Sequence, residues 1–230
     1  MNRSIIPAKR RLFAEFFKRS TVDVAKSLLG CHLVHETPVG RTSGRIVEVE
    51  AYLPIRDPGC HAARGLTIRN RPMFGPPGRS YVYFCYGNHD LFNIVTEREG
   101  IPGAVLVRAL EPVDGLELMA RRRFHGKKRD LNLLTNGPGK LTQALDIHRM
   151  RHNEVDLMKG PLRLEHDRLK PGENIGVTTR IGITKGWELP LRFYIAGNLC
   201  LSVPSGKDRP SPGRKKSLKS AVGRQRSAVS

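Results

Sequence analysis

Arg45–Tyr52, RIVEVEAY, alternates with the period of a β-strand and decides the fold. Val47, Val49 and Ala51 fall on one face, and Ile46, Glu48, Glu50 and Tyr52 fall on the other. Two carboxylates and an aromatic ring therefore share one side of the chain. On a solvated face that is ordinary; facing a cleft, it places acid–base groups beside a stacking surface. The strand alone leaves both readings open.

Working outward, Cys31–Glu36 is predicted as the neighbouring strand, with PVGRTSG turning the chain between the two. Residues 11–29 read as helical, with Thr21 capping VDVAKSLL and Gly30 as the stop. Residues 53–79 carry many prolines and glycines and little periodicity, so they form a long loop of the kind that usually carries function. Ser80–Tyr86 is strongly β-prone and ends at Gly87-Asn88, with Leu91–Thr96 as its hairpin partner. Ala104–Leu110 is a further strand, apolar except for Arg108. Pro112 is expected to open a helix through Leu116 and Met119, and NGPGK to turn into the helix LTQALDI. Later strands are expected at Pro161–Glu165, Ile181–Lys185 and Leu191–Ile195. Strands joined early by short hairpins, with helices around them, predict an α+β domain over residues 11–205, built on a mostly antiparallel curved sheet. Residues 206–230, almost without bulky apolar groups, are expected to be a disordered basic tail.

The chain is strongly basic. Forty Lys+Arg against 21 Asp+Glu gives a formal charge of +19 over 230 residues. The tail supplies eight basic residues and one acid, +7, so the remainder still carries +12. Such a balance favours a polyanionic partner, nucleic acid above all, through phosphate contacts and counterion release. No run of about 18 apolar residues suggests a membrane span, and the start of the chain makes a poor signal peptide. The four cysteines are scattered without a CxxC pair, so reduced cytosolic thiols are expected, with neither disulfides nor structural zinc.

Few motifs carry chemistry. GPGK at 137–140 is not a phosphate-binding loop: Leu134 stands where the first glycine is needed, and Leu141 where Ser or Thr is needed. Cys60-His61 and His89-Asp90 lack partners at metal-ligand spacing, so no metal and no cofactor is expected. An arginine inside AVLVRAL needs a carboxylate or a phosphate if it faces inward, and Glu50 is a candidate partner for Arg108. Held ionised in that way, Glu50 suits a general base that deprotonates water. Tyr81, Tyr83 and Tyr86 crowd into six residues. Tyr81 and Tyr83 read as core residues, whereas Tyr86, at the hairpin tip, reads equally as core or as a wedge.

Several blocks together closely resemble the alkyladenine (3-methyladenine) DNA glycosylase family. They are RIVEVEAYLPIRDPGCHAARG, RNRPMFGPPGRSYVYFCYGNHDLFNIV, GAVLVRALEP, NGPGKLTQAL and PLRFYIAGN, in the family's order and spanning roughly Phe16 to Ser205. The resemblance implies that Glu50 positions and deprotonates the water that attacks the sugar C1′, with Arg108 helping to hold both. It implies that Tyr52 and His61 are the walls around a flipped base, that Tyr83 is another pocket aromatic, and that Asn93 crowds the exocyclic amine of guanine. Tyr86 would enter the base stack. Glu48 matches no catalytic position and reads as structural. The loop between His61 and Arg69 is about one residue shorter than in vertebrate members, and Cys60 stands where a small residue is usual.

The implied activity is monofunctional hydrolysis of alkylated purines from damaged double-stranded DNA, leaving an abasic site. No lysine adjoins Glu50 in sequence to act as a nucleophile. The protein is expected to be a monomer in the cytoplasm or nucleoid of a bacterium, or the nucleus of a eukaryote. A non-catalytic protein binding damaged DNA or RNA would explain the charge but not the set Glu50, Tyr52, His61 and Arg108.

Overall fold

The computed structural model describes residues 11–85, 87, 89–125, 127 and 130–203; the expected wedge Tyr86 and the basic tail lie outside these residues. RIVEVEAY forms the second half of a thirteen-residue strand, β2 (Gly40–Tyr52), antiparallel to β1 (His32–Thr37). Their turn is only Pro38-Val39, tighter than the expected PVGRTSG, because Gly40 to Arg45 all pair with β1.

Five further strands complete the curled antiparallel sheet around β2: β3 (Ser80–Cys85), β4 (His89–Thr96), β5 (Gly103–Asp114), β6 (Leu162–Glu165) and β8 (Arg192–Ile195), with β7 (Ile175–Thr178) added on β8. The main order is β3-β4-β5-β2-β1-β6, and every pairing between these strands is antiparallel. One edge of β2 pairs with β5 from Ser43 to Tyr52. The other pairs with β1 as far as Arg45, then with β8 from Glu48 to Glu50.

Strand β2 is covered on both sides, which is why its residues from Thr42 to Ala51 are all buried. Val47, Val49 and Ala51 pack into the main core with apolar side chains of α2 (Thr21–Leu28), α3 (Leu116–Phe124) and α4 (Pro138–Leu145). Across the sheet, the loop 53–79 folds back, with one-turn 3-10 helices at His61–Arg64 and Arg71–Phe74. Its Cys60, Ala62 and Met73 cluster with Tyr81, Val95 and Ala104. Glu48 and Glu50 are thus fully buried, and Tyr52, partly buried, packs against the cluster formed with that loop.

Three local expectations are corrected. The 11–29 helix is two pieces, α1 (Ala14–Phe17) and α2, and the cap of α2 is Ser20, whose hydroxyl accepts from the Asp23 amide. Thr21 is inside the helix, and its hydroxyl binds Thr96 and Glu97 instead. Pro112 belongs to β5; its partner position on β2 is Gly44, and helix α3 starts only after Gly115. Ile181–Lys185 is not a strand: the strand lies earlier, at β7. Gly182 and Gly186 adopt positive φ (80° and 60°), and the Ile181 amide donates to a side-chain carboxylate rather than to a sheet.

Candidate active site

Glu50 is completely buried, and its carboxylate accepts two hydrogen bonds and forms an ion pair with Arg108. Arg108 Nη1 lies 3.0 Å from Oε1, the Ile181 amide 2.7 Å from Oε1, and the Tyr52 hydroxyl 2.9 Å from Oε2. The expected Glu50–Arg108 pair therefore forms. The ladder between β2 and β5 explains how. Ile46 pairs with Leu110 and Glu48 with Ala109, so Val47 is extra on β2; Val49 then pairs with Val107, so Arg108 is extra on β5. These two bulges cancel in register and turn Arg108 toward the carboxylate face, a common use of bulges beside functional sites.

Arg108 Nε also donates to Glu48 Oε1 at 2.9 Å, so one guanidinium bridges both glutamates. Burial alone would lower the basicity of Arg108, but the charges of Glu50 and Glu48 outweigh it and raise its pKa. For Glu48, burial favours the neutral acid, yet Arg108 and Arg192 outweigh it and hold the carboxyl below its usual range. Burial and the adjacent Glu50 charge push the Tyr52 phenol well above its ordinary pKa, which keeps its proton available for donation.

Beyond Tyr52 opens a cavity of about 380 Å³, near the lower end of the roughly 300–1,000 Å³ typical of small-ligand pockets. Tyr52, His61, Tyr83 and Asn93 line it, as do Tyr81 and Arg69. The His61 and Tyr83 rings meet edge to face at 4.6 Å, and His61 Nδ1 lies 3.0 Å from the Tyr81 hydroxyl. Burial, with Arg69 nearby, lowers the His61 pKa and leaves the imidazole neutral at pH 7. Asn93 Nδ2 donates to the Tyr81 carbonyl at 3.0 Å, which fixes the amide at the wall. Such a slot accepts a flat heterocycle between aromatic faces and edges. The residues singled out in the sequence thus converge, except Tyr86, which lies outside the described residues.

Others at the site gave little signal. Tyr81, read as a core residue, is buried but also lines the cavity. Arg180 is wholly buried, its guanidinium 4.6 Å from the Tyr52 ring centre, and it pairs through two 2.6 Å bonds with Asp57. It further donates to the Ala51 and Gly186 carbonyls. This pair fastens the loop after β2 to the segment that offers its Ile181 amide to Glu50. Arg192 and Ser202 reach Glu48 from more than 140 residues away in sequence. A lone charge in an apolar strand marked Arg108, but nothing comparable marks Arg180 or Ser202. Among the described residues, no group of three or more His, Cys, Asp or Glu gathers as a metal site.

The geometry can be set beside known proteins. The methylpurine-DNA glycosylase family pattern matches residues 15–199. A protein of Methanoculleus marisnigri named as a candidate 3-methyladenine DNA glycosylase is 55% identical over 192 residues, covering 82% of this chain and 97% of the relative. Similarly named proteins of Chlorobaculum tepidum and Clostridium acetobutylicum are 47% and 46% identical, over 91% and 84% of this chain and 97% and 98% of the relatives. With the match extending from α1 to beyond β8, the chain belongs to the methylpurine-DNA glycosylase family.

Proposed function

We propose that this DNA glycosylase, a repair hydrolase by its family, flips an alkylated purine out of duplex DNA and hydrolyses its N-glycosidic bond with water activated by Glu50. One observation carries the reading. A carboxylate offers about four acceptor positions; Glu50 gives one on Oε1 to the Ile181 amide and one on Oε2 to the Tyr52 hydroxyl, with the Arg108 cation paired at 3.0 Å on Oε1. The open position is on Oε2, the oxygen bound by Tyr52, which itself lines the cavity. A water there would be oriented by the carboxylate for attack.

The remaining steps follow from the same residues. Extruding a base costs a few kcal/mol of stacking and pairing, offset in part by stacking against Tyr52 and His61 and by Tyr86 filling the gap. Loss of the base develops positive charge on the sugar, which the Glu50 carboxylate stabilises as it directs water to C1′. Asn93 at the wall narrows the slot against the exocyclic amine of guanine. No lysine is among the described residues lining the cavity, which supports hydrolysis by water and a monofunctional enzyme acting without strand cleavage.

Glu50→Gln is the direct test, because glutamine keeps the size and an acceptor oxygen but not the base. Excision of 3-methyladenine from alkylated duplex DNA should slow by roughly 10²–10⁴-fold. Release at the wild-type rate would remove Glu50 from the mechanism.

A further inference from the structure

Directly beside Glu50, on the same strand, Glu48 is equally buried, and unlike Glu50 it makes no bond to the cavity-lining Tyr52. It accepts four donors: Arg108 Nε at 2.9 Å, Arg192 Nε at 2.8 Å, and the Ser202 hydroxyl and amide, both at 2.6 Å. Three of these donors crowd Oε1 and the Ser202 amide alone holds Oε2, so Glu48 is tied to two arginines and to the Ser202 segment, where Glu50 is tied to one arginine and to Tyr52. Arg192 is held in turn by Thr178 Oγ1 and the Val203 carbonyl, each at 3.1 Å. Two glutamates and two arginines make a cluster of zero net charge, closed by the last described residues of the chain.

The orientation of Arg108 depends on this cluster. A guanidinium is a planar fork, so fixing part of it fixes the rest. Glu48 holds Nε, and the Ser202 hydroxyl lies 3.3–3.4 Å from Nη2 and Nε, which leaves Nη1 directed at Glu50. Without the Glu48 charge, Arg108 and Arg192 would both face Glu50 from neighbouring strands, and Arg108 would be free to turn its whole fork onto it. That would use up the position at which a water can bind.

We propose that Glu48 is a positioning residue for base excision: together with Arg192 and Ser202 it sets the Arg108 fork, keeps one Glu50 acceptor position open, and thereby makes the Ser202–Val203 segment part of the active site. The inference rests on the reading of Glu50 as the base, and its test separates the two.

Single-turnover excision and affinity for a duplex carrying one defined alkylated purine are measured side by side. Glu48→Gln should slow excision roughly 10²-fold, as a small misplacement of catalytic groups does, with Kd unchanged because the cluster lies behind the cavity. Ser202→Ala should slow it roughly tenfold, about one hydrogen bond to a charged group, and Ser202→Thr should restore the wild-type rate. In a Glu50→Gln background, Glu48→Gln should cause no further loss. If Glu48→Gln folds poorly, the Ser202 pair decides alone. Wild-type excision by Ser202→Ala overturns the proposal, as does an equal loss from Glu48→Gln in both backgrounds. Wild-type excision by Glu50→Gln would instead overturn the base assignment on which it rests.

Discussion

Asp57 and Glu50 are both buried carboxylates paired with a buried arginine, and each lies close in sequence to a residue that lines the cavity, Gly59 and Tyr52, yet their surroundings differ in one respect. Asp57 accepts four donors: two from Arg180, and the Leu53 and Gly59 amides. Glu50 accepts two, one on each oxygen, and pairs by charge with Arg108 on Oε1. A saturated carboxylate has nothing left with which to bind a reactant, however buried or charged it is, so Asp57 works as a fastener. Glu50 differs in that Oε2 holds only the Tyr52 hydroxyl. Glu48 also accepts four donors, but three fall on Oε1 and one on Oε2, so the count alone does not class it with Asp57; it is assigned to positioning because it holds both arginines and the Ser202 segment. Burial and ion pairing do not by themselves identify a catalytic acid or base; counting what each oxygen already holds separates the candidates.

The sharpest way to break this contrast is to remove the partner of the saturated carboxylate. Arg180→Ala leaves Asp57 buried and unpaired, and should destabilise the fold by about 3–5 kcal/mol in denaturant unfolding; a change near zero would show the fastener to be idle. A second measurement asks whether stability and chemistry separate by pH. His152 stacks edge to face on His35, whose Nδ1 lies 2.6 Å from the carbonyl of Leu145 at the end of α4. Burial, then the neighbouring His35, lowers the His152 pKa from 6.5 to about 4. The folded state therefore prefers neutral His152; the stability this provides is full above pH 6.5 and declines as pH falls toward 4. Between pH 7 and 5 the fall should be about 2 kcal/mol, and His152→Gln should flatten most of it. An unchanged slope in that variant would place the titration elsewhere. The smallest effect is expected from Tyr52→Phe, which keeps the cavity wall but frees a second position on Glu50. Excision should slow about tenfold, the worth of one hydrogen bond to a charged group, at unchanged DNA affinity. A loss as large as that of Glu50→Gln would mean that the phenol takes part directly.

Much of the sheet was legible in the sequence because its strands alternate or run apolar, as in RIVEVEAY and AVLVRAL. The errors are instructive. Ile181–Lys185 has the composition of a strand, but its first amide is drawn to Glu50 by tertiary structure, which no local pattern encodes. Pro112 looks like a helix start, yet it stays in β5 to its end, three residues before Gly115. At the site, Glu50, Tyr52 and Arg108 were accessible because charge or aromaticity interrupts an apolar strand. The choice of Glu50 over Glu48 came from family resemblance, since both share one face. Arg180, Arg192 and Ser202 were not accessible: each is an unremarkable residue until the fold carries it across 120 or more positions to its carboxylate.

The paired bulges at Val47 and Arg108 bear on how such a protein can be redesigned. Deleting both residues would restore an unbroken ladder between β2 and β5 from Gly44 to Tyr52, with that stretch still in register. A designer seeking a more regular sheet would be drawn to that change. It would also remove the one arginine that touches both glutamates, producing a tidier scaffold with an empty catalytic address. In this fold the irregularity of the sheet is where the information for chemistry is kept.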